Sequence, residues 1–476
     1  MTKFAVGKDA EGRSRAIPCS RQIDGKTMGA AFNLKPATWL VVAAVIGPVI
    51  AGARSSGQAA LPAASSATTA PSLPSIPDRV FRITDYGAVG DGKTDATGSL
   101  NAAIAACAKA GGGTVDFPPG RFLTRPFLLA SKLNLHLTAG AALLLATDPK
   151  DYEEPGKRNR NGITADDCHD IAITGSGTID GQGGTWWPRY VKTYAPPPGT
   201  LPPMHRPYML TFSRCTRVLV EGVTLTNSPS FHLVPAQCRD VTLRNIRILA
   251  PANAPNTDGI DPSGWDYLIT GCTIDVGDDN IALKPTGKIA PDQPSCRDFV
   301  IEHCAFRHGH GMSIGGQTSG GLGNLLVRDC TFDDTQAGIR MKAGRGSGGL
   351  SENLVYERLT MKRVKVPIYI LSYYPRVPDD PAADPAQPVA ATTPIWRHIR
   401  IQDLTVADSP EAGRIIGLAE APVEDIEFIN VRIAAAKGMQ VVHTRGIRFI
   451  RSDVLIRKAP SIRLPTPATA ATKRGI

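Results

Sequence analysis

Residues Asp240–Ile248 read DVTLRNIRI: a polar residue, two apolar positions separated by one residue, a short gap, and a second alternating pair. The pattern returns as DYLITGCTI from Asp266, DFVIEHCAF from Asp298 and NLLVRDCTF from Asn324. Further out it starts at Asp170 (DIAI), Arg217 (RVLV), Asn353 (NLVY), His398 (HIRI) and Asp425 (DIEF). Successive starts are separated by 47, 23, 26, 32, 26, 29, 45 and 27 residues. Strict alternation marks strands with one buried face. Short strands that recur about every 25 residues, with polar turns between them, mark stacked coils.

No stretch of helical period separates the strands, which excludes βαβ units. The fold predicted is all-β: a right-handed parallel β-helix, a solenoid of roughly ten coils. A coil cannot bury its inner face alone, so residues 78–458 read as one domain. The spacings of 47 and 45 are either coils carrying long loops, residues 185–206 and 376–393, or a coil that the pattern misses. The amphipathic stretch 96–110 predicts a helix capping the N-terminal end, where an open strand edge must be hidden.

Composition agrees with a turn-rich chain: Gly 47 and Pro 39 in 476 residues. With 42% hydrophobic and 20% charged residues, the chain is neither wholly disordered nor a multi-span membrane protein. The formal net charge of +10 suits an acidic polymer, nucleic acid or an anionic membrane. Residues 1–60 hold eight Lys/Arg and three Asp/Glu, so half of that excess lies there. The apolar run WLVVAAVIGPVIAG at residues 39–52 is short for a membrane span and contains Pro48. It reads as a secretory signal, with Met28 a better-placed start than Met1; an uncleaved anchor is the alternative. The organisation expected is therefore a leader over residues 1–54, a flexible Ala/Ser/Pro-rich linker over 55–77, the β-helix, and a tail over 459–476. The location expected is secreted or periplasmic. Eight cysteines follow Cys19, and Cys168, Cys215, Cys238 and Cys296 each lie two places before a repeat start, which favours buried packing over bridges. None has zinc-like spacing.

Four segments read as a third strand in successive coils: NTDGID from Asn256, GDDNIALK from Gly277, GHGMSI from Gly309 and GIRMK from Gly338. Aligning Ile260, Ile281, Met312 and Ile339 puts Asp258, Asp279 and His310 at one rung position, with Asp278 beside them. Arg340 and Lys342 share a face by strand alternation. Neighbouring parallel strands are about 4.8 Å apart, so these side chains are within reach of one another. Gathered carboxylates raise at least one pKa, which suits a general acid near neutral pH. Paired carboxylates with room for a water are the machinery of an inverting glycosidase. The two cations suit an anionic sugar. Calcium is the competing use of Asp258, Asp261, Asp278 and Asp279; the adjacent His, Arg and Lys argue against it.

At these residues the chain resembles glycoside hydrolase family 28, the polygalacturonases, whose pattern is NTD, DD, GHG and R-x-K in this order. Met341 stands where the family usually has Ile. TDYGAVGDGKTD at residues 84–95, GSGTIDGQG at 175–183 and NSPSFHL at 227–233 are similar too. The resemblance implies inverting hydrolysis of α-1,4-galacturonosyl linkages in polygalacturonate or pectin. In it Asp278 is the general acid, Asp258 and Asp279 activate water, and His310 tunes the acid. Asn256, Arg340 and Lys342 bind substrate, with Tyr373 or Tyr374 beside them. It implies no metal, no organic cofactor, no nucleic-acid or stable membrane partner, and a monomer. Alternatives are rhamnogalacturonan or xylogalacturonan hydrolysis, a calcium-dependent pectate lyase, and a non-catalytic carbohydrate-binding β-helix. Exo or endo action depends on loop shape.

Overall fold

The computed structural model describes residues 70–154, 159–189, 206–287 and 294–456. The expected leader, the linker up to residue 69, residues 190–205 of the first long loop and the 459–476 tail lie outside the described residues.

Two left-handed backbone positions shape each coil. The nine polar starts Asp170, Arg217, Asp240, Asp266, Asp298, Asn324, Asn353, His398 and Asp425 all have φ between 51° and 60°. Five residues after each start the backbone is left-handed again, at Gly175, Gly222, Asn245, Gly271, His303, Asp329, Arg358, Asp403 and Asn430. Asn, Asp and Gly enter this region at least cost. That is why the repeat opens on Asp or Asn in seven of nine cases.

The strands these turns separate stack in parallel and in register. One file runs Ile171, Val218, Val241, Tyr267, Phe299, Leu325, Leu354, Ile399, Ile426. A second runs Ile179, Leu225, Ile248, Ile274, Phe306, Phe332, Met361, Val406, Ile433. All of these side chains are at most 2% exposed. Burying a side chain of this size contributes about 1.5–3 kcal/mol, so the files are what hold the coils together. Val218 lies directly on Ile171 and Ile399 directly on Leu354. The spacings of 47 and 45 are therefore one coil each. This is the parallel β-helix predicted.

The predicted helix forms over Thr97–Lys109 and buries Leu100, Ala103, Ile104 and Cys107 beside the strands Val80–Arg82 and Gly113–Phe117. Residues 70–77, expected as part of a flexible linker, are instead docked on the coils. The Ser72 and Ser75 N–H groups donate to Asp240 Oδ1 (3.1 Å) and Asp170 Oδ1 (3.0 Å). Among the described residues eight cysteines carry free thiols, and all but half-buried Cys168 are buried. Among the described residues no helix is long and apolar enough to cross a membrane.

Candidate active site

A third file carries the candidate site residues. It runs Ile163, Leu210, Leu233, Ile260, Ile281, Met312, Ile339, Ile368. The alignment of Ile260, Ile281, Met312 and Ile339 made from sequence is the register observed. Immediately before Ile281 and Met312 the chain leaves regular strand geometry, as two adjacent acids serving one site require. The strand Thr273–Val276 ends, residues 277–280 bend, and the strand Ile281–Leu283 begins. Gly277 sits so close to the previous coil that a Cβ there would stand 2.2 Å from the Ala254 carbonyl oxygen. Gly311 has φ +77°, and its Cβ would stand 2.0 Å from the Ala337 carbonyl oxygen. Fully buried Asn280 pins the bend: its Nδ2 donates to the Ile274 (2.9 Å) and Arg307 (3.1 Å) carbonyls, and its Oδ1 accepts from Gly311 N–H (2.8 Å). Thr257 Oγ1 accepts from Gly277 N–H at 3.0 Å, so the NTD segment holds the DD turn.

Asp279 is the best-satisfied acid. Its Oδ2 accepts from Lys342 Nζ (2.8 Å), and its Oδ1 from Arg340 (2.5 Å) and Ser313 Oγ (2.9 Å). Burial pushes this carboxyl up, but Lys342, His310 and Arg340 outweigh it and hold Asp279 well below the usual range. Arg340 and Lys342 thus point to one face, as alternation predicts. Burial pushes the Lys342 ammonium down, and Asp279 only partly restores it.

Asp278 faces His310, whose Nδ1 stands 2.8 Å from Asp278 Oδ1 and 3.5 Å from Asp279 Oδ1. Burial pushes Asp278 up, but His310 more than offsets it and the carboxyl lies below its ordinary value. His310 moves the other way: burial lowers it, and the two carboxylates raise it overall. His310 and Asp278 are therefore an opposed pair, in which each favours the charged form of the other.

Asp258 and Asp261 behave oppositely. Both are buried, 3% and 2% exposed. Burial, then Asp261, pushes Asp258 well above the usual range. Burial pushes Asp261 up to about 7 against the pull of Lys284. Carboxyl pKa values are raised in this cluster, by burial first and by neighbouring acids second, but at Asp258 and Asp261 and not at Asp278. The physical reason is that Asp278 has its own cation in His310, whereas Asp258 and Asp261 share one ammonium, Lys284 Nζ, at 3.8 and 3.4 Å.

The structure also sorts the remaining candidates. Tyr374 is 43% exposed with Lys342 Nζ 5.4 Å from its ring centroid, so it is the tyrosine at the site. Tyr373 is turned away. It is buried, its hydroxyl donates to Asp384 Oδ2 (2.9 Å), and Arg345 lies over its ring. Asn256 is engaged within the protein: its Oδ1 accepts from Arg206 (2.9 Å) and its Nδ2 donates to Asp278 Oδ2 (3.4 Å). Sequence reasoning missed Ser313, Lys284 and His232. Ser313 shares its rung with Arg340, and Lys284 closes the GDDNIALK segment, so both lay in the register. His232, inside NSPSFHL, is fully buried, is pushed down to about 4 by that burial, and bonds the Asp258 carbonyl at 3.1 Å. Asp278, Asp279 and His310 bring possible ligand atoms within 4.8 Å of one another. Both Asp279 oxygens already carry cationic donors, which makes the group an ion-pair cluster rather than a ligand set.

Residues 128–447 match the family Glycosyl hydrolases family 28, and residues 80–138 match Rhamnogalacturonase A/epimerase, pectate lyase-like. The chain is 31% identical over 421 residues to a probable polygalacturonase of Vitis vinifera, covering 83% of this chain and 80% of that protein. It is 32% identical over 303 residues to a polygalacturonase of Juniperus ashei, covering 62% of this chain and 57% of that protein. A solved hyperthermoactive exopolygalacturonase of Thermotoga maritima superposes with a TM-score of 0.69 at 28% identity, over 81% of this chain and 94% of that one. Asp258, Asp278, Asp279, His310, Arg340 and Lys342 all lie inside the 128–447 match and converge on one file of the solenoid, and the chain belongs to glycosyl hydrolases family 28.

Proposed function

We propose that this glycosidase hydrolyses α-1,4-galacturonosyl linkages of polygalacturonate with inversion. The observation that carries the reading is the juxtaposition of a close imidazole–carboxyl pair, His310 and Asp278 at 2.8 Å, with a cation pair, Arg340 and Lys342, on Asp279. Arg340 and Lys342, with Tyr374 beside them, take the carboxylate of the sugar at the scissile bond. Sugar entering the site expels water from around Asp278 and His310. Loss of solvent disfavours their charge-separated form, so the proton moves from imidazole to carboxyl. Asp278 then protonates the leaving glycosidic oxygen while Asp258 and Asp279 activate water on the opposite side. The polymeric substrate and the apolar run at residues 39–52 support a location outside the cytoplasm.

The test is chromatography of products from polygalacturonate over time, with NMR of the freshly formed anomer. New reducing ends of inverted configuration support the reading. Monomer alone marks exo action, and a ladder of oligomers marks endo action. Unsaturated products absorbing in the ultraviolet mean elimination and overturn it. Binding of oligosaccharide with no new reducing ends overturns it in favour of a carbohydrate-binding solenoid.

A further inference from the structure

Lys284 and Asp261 stand in the site with no role in the reaction just described. Lys284 Nζ lies 3.4 Å from Asp261 Oδ2, 3.8 Å from Asp258 Oδ2, 3.5 Å from the Gly315 carbonyl oxygen and 5.6 Å from the Phe231 ring centroid. Asp258 Oδ1 and both Asp261 carboxylate oxygens are buried with no hydrogen-bond partner. Buried acids usually collect donors, and Asp279, one coil away, has three. The cations that could have served Asp258 are taken: Arg340 and Lys342 bond Asp279, and His310 faces Asp278 and Asp279. His232 touches Asp258 only at its backbone carbonyl, and burial disfavours its charged form. The charged groups around Asp258 are therefore Asp261, Asp278 and Asp279 against Lys284, and Lys284 sits nearer to Asp261.

We infer that Lys284 and Asp261 are an opposed positioning pair for the water-activating acid: the ammonium supplies the countercharge of Asp258, and Asp261 competes for it. Asp258 acts as a base only when ionised. Lys284 favours that form by attraction, and Asp261 disfavours it, both by its own charge and by drawing the ammonium away. The two residues thus set the pH at which the site becomes active, from opposite sides, without touching substrate.

This inference rests on the hydrolase reading, with Asp258 on the water side. The experiment is the pH profile of kcat/KM on polygalacturonate for the full chain and three variants. Asp261→Asn keeps size and removes the competing charge; its acid limb should move to lower pH. Lys284→Met removes the countercharge; its limb should move to higher pH, by about 1 pH unit or more, the effect of one charge at 4–6 Å. Lys284→Arg should restore the limb most of the way. KM should change less than kcat in all three, because both residues are assigned to act through Asp258. Limbs that stay in place, or move in the same direction in Asp261→Asn and Lys284→Met, overturn the inference while the hydrolase reading stands. If Lys284→Met does not fold, the direction of Asp261→Asn decides alone. A wild-type chain that releases no reducing ends overturns the hydrolase reading itself, and is told apart from failure of the pair by that control.

Discussion

The outer wall of the solenoid and the file bearing the acids are built from the same stacked rungs, yet they treat charge differently. On the wall, carboxylates are met by arginines of the next coil. Arg244 forks onto Glu221 at 2.7 and 2.9 Å, Arg217 onto Asp170 at 2.7 and 2.8 Å, and Arg358 onto Asp329 at 2.7 and 2.9 Å. In each pair the acid is on one coil and the arginine on the next, and Glu221 and Arg244 share a rung. At the active file the pairing is unequal. Asp279 holds two cations from two coils further on, while Asp258 and Asp261 divide one. The wall is a satisfied array that any stable β-helix could use. The active file leaves buried oxygens unpartnered, a cost that persists where function requires a poised charge.

Breaking the active side should have the largest effect. Asp278→Asn removes the transferable proton and keeps the size, so kcat should fall by about 10²–10⁴-fold or more, with binding of oligogalacturonate retained. A substrate with a good leaving group should recover much of the rate in Asp278→Asn and not in Asp258→Asn. Similar responses in the two variants would show that the division between acid and water sides is wrong.

Next in size is the anion pair. Lys342→Met should weaken oligogalacturonate binding by about 1.5–3 kcal/mol, the range for hydrogen bonds to charged groups, measured by calorimetry. Unchanged affinity would mean that Lys342 serves Asp279 alone and that the active file, like the wall, pairs its charges only internally.

The wall should answer in stability and not in rate. Asp170 is buried and holds Arg217, His169 and the Ser75 N–H. Asp170→Asn should cost about 1–3 kcal/mol with kcat unchanged. The Arg217 guanidinium, above all, holds this carboxyl far below its usual value, against burial. A depressed carboxyl contributes fully above the unfolded value near 4 and loses its contribution as pH falls towards the folded value. The melting-temperature gap between wild type and Asp170→Asn should therefore be widest at neutral pH and shrink below about pH 4. A gap that widens on acidification would contradict the pairing.

The smallest effect belongs to the exposed end of the wall. Arg214 and Asp167 form a close pair, but their side chains are 54% and 65% exposed. Arg214→Ala should leave the melting temperature unchanged within error, because solvent and salt screen such pairs. A clear loss would mean that the wall relies on its pairs more evenly than burial suggests.

Much of this molecule was legible before any coordinates. The αL positions enforce a polar or glycine residue at two places five residues apart in each coil, so the coils are marked along the chain at Asp240, Asp266, Asp298 and Asn324. Because every coil obeys the same local constraint, aligning Ile260, Ile281, Met312 and Ile339 was enough to bring Asp258, Asp278, Asp279, His310, Arg340 and Lys342 together. What the tertiary structure alone decided is which of these groups face one another, and how dry each is. Tyr373 and Tyr374 are neighbours in sequence, yet only burial and the Asp384 contact assign one to the scaffold and the other to the site. The protonation pattern was likewise hidden. It depends on the distances from Lys284 to two carboxylates, from His310 to Asp278, and from two cations to Asp279. Repetition along a chain encodes stacking because each coil meets the same neighbours. Charge balance in a buried site is a sum over distances between coils and over lost solvent, and no single segment carries that sum.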